Sequence, residues 1–175
     1  CGGKYITAED VGISTRDMEY VRLETKHVVG LPEYLGGSGD PSPVTAYGVY
    51  MGMKASAKKM YGSDSLAGKR IIVQGAGHVG QYLIDYLDKE GAKVGVSDIF
   101  ADKIKEVKHK FPKVDIVDPN GIYDEAMDIY APCALGATIN DDTINKIQAK
   151  IIAGAANNQL ANEVTHGKLL KEKGI

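Results

Sequence analysis

Three observations predict an α/β fold built on a doubly wound parallel sheet. From Ser63 onward, β-branched runs alternate with apolar residues at helical spacing. A glycine-rich stretch, Gln74-Gly75-Ala76-Gly77-His78-Val79-Gly80, separates the first such strand from the first such helix. An acid, Asp98, closes the second strand. Strands that alternate with helices pair in parallel, and helices cover both faces of the sheet.

Each element follows from its own pattern. Residues 1–40 read as the edge of one unit, 41–62 as a connecting helix and 63–175 as the sheet domain. In the first segment Ser14 followed by Asp17 approximates a capping box, with the acid one methylene shorter than the usual Glu. Met18, Val21 and Leu23 are expected to supply the buried side of the short helix behind it. Residues 30–43 are rich in Gly, Pro and Ser and read as a loop. Ser42 is placed at an N-cap and Pro43 at the first helical position, where its missing N–H costs nothing. The long helix that follows ends at Gly62, and Val44, Gly48, Met51 and Ala55 are predicted to form its packed side.

Arg70–Gln74 is the first strand, and Val79, Leu83, Tyr86 and Leu87 mark a helix that Gly91 terminates. Lys93–Ser97 is the second strand, and Ile104, Val107 and Phe111 mark the second helix. Val114–Val117, Met127–Ala131 and Lys150–Ala153 are predicted as the remaining strands. Thr143, Ile144 and Ile147 suggest a short helix between the last two. A final helix runs from Val164 to Lys173, with Gly174 beyond it.

Composition narrows the function. The 175 residues are 43% apolar and 25% charged, the range of globular chains rather than disordered ones. No apolar run reaches the roughly 18 residues that a membrane helix needs, and no basic-then-apolar leader opens the chain. A net charge of −2 with scattered Lys and Arg does not suggest a nucleic-acid surface. Cys1 and Cys133 form neither a disulfide framework nor a metal spacing, which points to a reduced, cytoplasmic chain without a metal site. The chain opens without Met and stops at Ile175, where a strand is expected to begin, so it reads as an internal piece of a longer protein.

The glycine stretch carries the strongest chemistry, because it lies after a strand and before a helix. Gly75 makes the tight turn, Gly77 lets the backbone approach a pyrophosphate, and Gly80 lets the helix pack on the strand. The helix start then offers free N–H groups and a positive dipole end. Asp98 follows about 20 residues on, completing a Rossmann-type βαβ unit. It suits ribose hydroxyls and repels a 2′-phosphate, which favours NAD over NADP. Ala76, His78 and Val79 complete the loop, and His78 reads as either a phosphate contact or a solvated side chain.

Glu9-Asp10 reads as a charged loop or as a carboxylate that handles protons in a cleft. Cys133 and Ala134 follow the fourth strand and are expected to line the crevice at the strand ends. Without a His near it in sequence, Cys133 reads as a small packed thiol rather than a nucleophile. Asn157 and Asn158 follow the last strand, either as amides for a carboxamide or an amino acid, or as a hydrophilic turn.

Five stretches together resemble the glutamate/leucine/phenylalanine/valine dehydrogenase family, and within it the branched-chain members most. They are CGGKYITAEDVG, GDPSPVTAYGVYMGMKA, VQGAGHVG, DIYAPCALG and IIAGAANNQL. The resemblance implies oxidative deamination of leucine, isoleucine or valine to a 2-oxo acid, with NAD reduced and ammonia released, in a homo-oligomer. It implies that residues 1–40 are an edge of an N-terminal catalytic domain. Asp10 falls on the family's catalytic aspartate, which moves protons as imine and carbinolamine intermediates form. Thr45 falls on a residue that positions the nicotinamide, Gly75–Gly80 on the dinucleotide loop and Asp98 on the ribose acid. Cys133 and Ala134 match the segment beside the cofactor, and Asn157 or Asn158 the amide near nicotinamide and substrate.

The family's catalytic lysine and its substrate-carboxylate lysine belong to a glycine-rich segment upstream of AEDVG, which these residues do not include. The 175 residues alone are therefore expected not to turn over at a useful rate. Phenylalanine or valine dehydrogenase, a non-catalytic NAD-binding module, and a nucleotide-binding methyltransferase are the competing readings; the complete GAGHVG disfavours the last.

Overall fold

A computed structural model describes residues 1–10 and 12–175. The chain folds as two compact units, Cys1–Pro43 and Val44–Ile175.

The first unit is small. Helix α1 (Thr15–Glu24) starts with the predicted capping box: the Ser14 hydroxyl accepts from the Asp17 N–H, and the Asp17 carboxylate accepts from the Ser14 N–H at 2.8 Å. Hydrogen bonds from the Ser14 side chain and backbone hold the Asp17 carboxyl below its ordinary pKa. Met18, Val28 and Leu31 form the core, with Val21 packed against them. Leu23 does not join it and is 80% exposed. Five residues from Met18, it stands about 140° round the helix and faces away from that core. A parallel bridge pairs Thr7 with Val28.

Helix α2 (Ser42–Tyr61) begins one residue earlier than the spacing predicts. Ser42 is already helical, and the Asp40 carboxylate accepts its N–H at 2.8 Å. The buried side of α2 is Ala46, Met53 and Ala57, with Val49 and Tyr50 beside them. The predicted stripe of Val44, Gly48, Met51 and Ala55 is exposed instead. Both stripes have helical spacing and lie on opposite sides of the helix, so periodicity alone could not choose. The chosen side is the one from which Tyr50 and Lys54 reach a shared carboxylate, Glu90.

The sheet has five parallel strands in the order β3-β2-β1-β4-β5. They are β1 (Arg70–Gln74), β2 (Lys93–Ser97), β3 (Asp115–Ile116), β4 (Ile129–Pro132) and β5 (Ile151–Ile152). Helices α3 (His78–Glu90), α4 (Ala101–Lys110) and α5 (Glu163–Glu172) complete the unit. Strand alternation divides the core. Ile71, Val73, Ile129 and Ala131 pack on one side with Leu83, Leu87 and Met53. Ile72 and Tyr130 pack on the other with Ile122, Ile139 and Ile144.

Gly62, Gly91 and Gly174 stand just beyond their helices at φ +78°, +83° and +70°, a region that Gly enters without steric cost. The last three strands are shorter than, or shifted from, the predicted runs. The short helix expected around Thr143–Ile147 is a series of turns. Asn140 Oδ1 accepts from the Asp142 and Thr143 N–H groups, and the Thr143 hydroxyl donates to the Thr138 carbonyl. Side chains of this kind offer the backbone an alternative to helix. Ile144 and Ile147 are buried all the same.

Candidate nucleotide site

The chain order of the strands creates the site. From β1 the chain moves outward through β2 to β3, then returns to the other side of β1 as β4. The chain direction therefore reverses at β1, and in open parallel sheets ligands bind in the crevice at the carboxyl ends of the strands beside such a reversal.

The glycines differ in what they permit. Gly75 has φ +106°, and a Cβ there would stand 2.8 Å from the Ala134 nitrogen and the Cys133 carbonyl carbon. A side chain would force the two loops apart. A Cβ on Gly80 would lie 2.0 Å from the Gly75 carbonyl oxygen, so only Gly lets α3 start this close to the turn. Gly77 is the opposite case: nothing lies within 4 Å of where its Cβ would be. Its bareness serves no packing within the chain and leaves open the approach that a pyrophosphate needs. Gly77 also caps α3 without a side chain, which leaves the first-turn amides for an anion.

Asp98 locks this turn. Its Oδ2 accepts the Ala76 N–H at 2.7 Å, and its Oδ1 accepts the Phe100 N–H at 2.8 Å. Each carboxylate oxygen has further lone-pair capacity for ribose hydroxyls. From the other side, the buried Gln81 amide donates to the Ala76 carbonyl at 3.1 Å. Loop, acid and helix start are thus tied together by bonds within the chain, and among the described residues nothing lies within 4 Å of where a Gly77 Cβ would be.

The remaining candidates surround it. The Cys133 N–H donates to the Gln74 carbonyl at 2.7 Å, which fastens the β4 exit to the β1 exit. Burial pushes the Cys133 thiol up to about 11, so it is neutral near pH 7, as a packed thiol rather than a nucleophile is. Ala134 is exposed beside it. A Cβ on Gly154 would lie 2.1 Å from the Pro132 carbonyl oxygen, so the β5 exit packs on β4. Asn157 and Asn158 are both exposed. The Asn158 carbonyl accepts the Ala137 N–H at 2.6 Å, and its side chain lies across Gly136. His78 is exposed, and Val79 packs against the core.

Thr45 is exposed in the first turn of α2. Asp10 belongs to the first unit, where it is exposed and its carbonyl accepts the Ile13 N–H at 2.9 Å. The structure therefore joins Gly75, Ala76, Gly80, Asp98, Cys133 and Ala134 through direct contacts. Gln81 was missed by sequence reasoning: two residues from Val79 and from Leu83, it stands about 160° round the helix from each, so the apolar stripe carried no signal for its burial. Among the described residues, no helix is long and apolar enough to cross a membrane.

Comparison with known proteins agrees with this fold. Residues 36–175 match the family model described as Glutamate/Leucine/Phenylalanine/Valine dehydrogenase. Leucine dehydrogenase of Bacillus subtilis is 54% identical over 173 residues, 99% of this chain and 47% of that protein. Valine dehydrogenase of Streptomyces virginiae is 43% identical over 163 residues, 92% of this chain and 46% of that protein. The crystal structure of L-tryptophan dehydrogenase from Nostoc punctiforme aligns with a TM-score of 0.80 at 42% identity, covering 99% of this chain and 48% of that one. The chain spans about half the length of the curated relatives it matches. A glycine turn locked by an acid, on a parallel sheet and inside a family match that takes in the whole second unit, leaves one conclusion: the chain belongs to the glutamate/leucine/phenylalanine/valine dehydrogenase family.

Proposed function

We propose that this chain is the dinucleotide-binding part of an NAD-dependent amino-acid dehydrogenase that deaminates branched-chain L-amino acids to 2-oxo acids. The observation that carries the reading is the Asp98 carboxylate, bonded to the Ala76 and Phe100 amides beside Gly77, whose Cβ position meets nothing within 4 Å. A carboxylate so placed accepts ribose hydroxyls and repels a 2′-phosphate, which supports NAD over NADP. Branched-chain specificity is supported by the higher identity to leucine dehydrogenase than to the valine and tryptophan enzymes.

NAD, when bound, supplies the hydride acceptor. Amides of Gly75–Gly80 and the start of α3 hold the pyrophosphate, and Asp98 holds the adenosine ribose. Thr45, Cys133, Ala134 and one of Asn157 and Asn158 orient the nicotinamide half. Asp10 moves protons for the amino-acid substrate. The lysines that complete this chemistry in the family lie outside these 175 residues, so the chain alone binds the dinucleotide without turning over. In the whole protein the assembly is a homo-oligomer, cytoplasmic, acting on small molecules.

The test is NADH absorbance with the full-length protein and with these 175 residues, offered leucine, valine, phenylalanine or glutamate. Reduction of NAD by the full-length protein with leucine foremost, and none by the 175 residues, is expected. Fastest reduction with phenylalanine would move the specificity. Silence of the full-length protein with every amino acid, alongside NADH binding, would favour the non-catalytic module.

A further inference from the structure

Beneath the crevice lies a polar group that the nucleotide site does not account for. Tyr130 is fully buried in β4, among Ile72, Ile122, Ile139 and Ile144. Its hydroxyl donates to Gln74 Oε1 at 2.5 Å. The other end of the same amide, Gln74 Nε2, donates to the Tyr123 hydroxyl at 3.3 Å. The two tyrosine rings meet edge to face at 5.9 Å between centroids. Burying the Tyr130 phenol in an apolar cluster is unfavourable unless it is paired, and a phenylalanine of similar shape could fill the same space. Bonds with fixed direction set a geometry that apolar packing leaves loose.

The backbone of Gln74 shows which geometry. Gln74 is the last residue of β1, paired with Ser97 on β2 and Pro132 on β4. Its carbonyl accepts the Cys133 N–H at 2.7 Å. The next residue is Gly75, whose N–H donates to the Ser97 carbonyl at 2.8 Å. Gly75 also leaves no room for a Cβ against Cys133 and Ala134. Main chain and side chain of one residue therefore tie together the glycine turn, the β4 exit and the turn that carries Tyr123.

We infer that Gln74 is a positioning residue for the dinucleotide. With Tyr130 and Tyr123 it fixes the spacing between the glycine turn, which holds the pyrophosphate, and the Cys133–Ala134 segment, which flanks the other half of the ligand. The inference rests on the proposed nucleotide reading. Gln74 itself touches no reacting atom; it acts through the two loops.

The test is a fluorescence titration of the 175-residue chain with NADH, run on Gln74→Leu, Tyr130→Phe and the double variant, beside their thermal unfolding. Tyr130→Phe retains the ring and its packing, so it remains informative if Gln74→Leu folds poorly. Each single variant is expected to weaken NADH binding about five- to tenfold, the scale of one hydrogen bond. The double variant is expected to lose no more than Gln74→Leu alone, because the two residues act as one unit. Unchanged NADH affinity in folded Tyr130→Phe and Gln74→Leu would overturn the inference and leave the network a structural one. Losses that simply add would overturn it too, by showing two independent effects. Failure of the unaltered chain to bind NADH would refute the nucleotide reading itself, and the inference with it.

Discussion

Glu90 is the residue whose loss the second unit should feel most among its charged groups. It stands at the end of α3, and its carboxylate accepts from the Tyr50 hydroxyl, from Lys54 Nζ at 2.9 Å and from the Leu66 N–H at 2.9 Å. These donors come from α2 and from the segment joining it to β1, so one side chain fastens both to α3. The carboxylate side chain is only 15% exposed and Lys54 20%, which separates this pair from an ordinary surface ion pair. Breaking a buried pair costs about 3–5 kcal/mol; discounting for partial exposure and for Lys54 returning to water leaves about 2–3 kcal/mol for Glu90→Ala. For a chain of this size that lowers the Tm by roughly 5–10 °C.

The pH dependence of the same clamp has a fixed sign. Burial pushes the Glu90 carboxyl up, but the Leu66, Tyr50 and Lys54 hydrogen bonds outweigh it and hold it below the ordinary value. A depressed carboxylate contributes stability that is full above its unfolded pKa and is lost as pH falls through the folded one. The gap in Tm between the unaltered chain and Glu90→Ala should therefore be widest near neutrality and close in acid, below about pH 4. Thermal unfolding followed by circular dichroism across that range decides it. A shift of less than about 1 °C at pH 7, or a gap that widens in acid, refutes the clamp.

Four further predictions rest on the same geometry. Gly80→Ala should destabilise the chain by about 2–4 kcal/mol in urea unfolding, because its Cβ meets the Gly75 carbonyl at 2.0 Å. Gly77→Ala, which meets nothing, should lower stability by no more than about 1 kcal/mol, the cost of Ala at an N-cap, while weakening NADH binding about tenfold. Met53→Ala should cost about 2–5 kcal/mol and Met51→Ala less than about 0.5, since Met53 is fully buried and Met51 is 43% exposed; equal losses would reverse the orientation given to α2. With a thiol reagent at pH 8, exposed Cys1 should label at once and Cys133 only on unfolding, because burial holds its thiol up near 11. Two equally fast thiols would contradict that.

The parts of this fold that were legible share a physical cause. Strands β1 and β2 carry buried β-branched residues and end just before Gly75 and Asp98, and both match the predicted ends. The glycine turn was legible because Gly75 and Gly80 serve steric needs that no other residue meets. Orientation was harder to read. Helix α2 carries two apolar stripes, and what distinguishes them is Glu90, far along the chain. Ile144 and Ile147 have helical spacing, yet the Asn140 and Thr143 side chains take the local backbone groups and leave turns. The Gln74–Tyr130 bond joins residues on neighbouring strands, and nothing local to either announces it.

On the proposed reading, Asp98 and the glycine turn bind NAD. Isothermal titration of the chain with NADH and with NADPH, before and after Asp98→Ala, tests it most directly. NADH is expected to bind at least about tenfold more tightly than NADPH. Asp98→Ala is expected to erase most of that preference, by removing both the ribose acceptor and the charge that repels a 2′-phosphate. Equal binding of the two nucleotides by the unaltered chain, or a preference that survives Asp98→Ala, would contradict it.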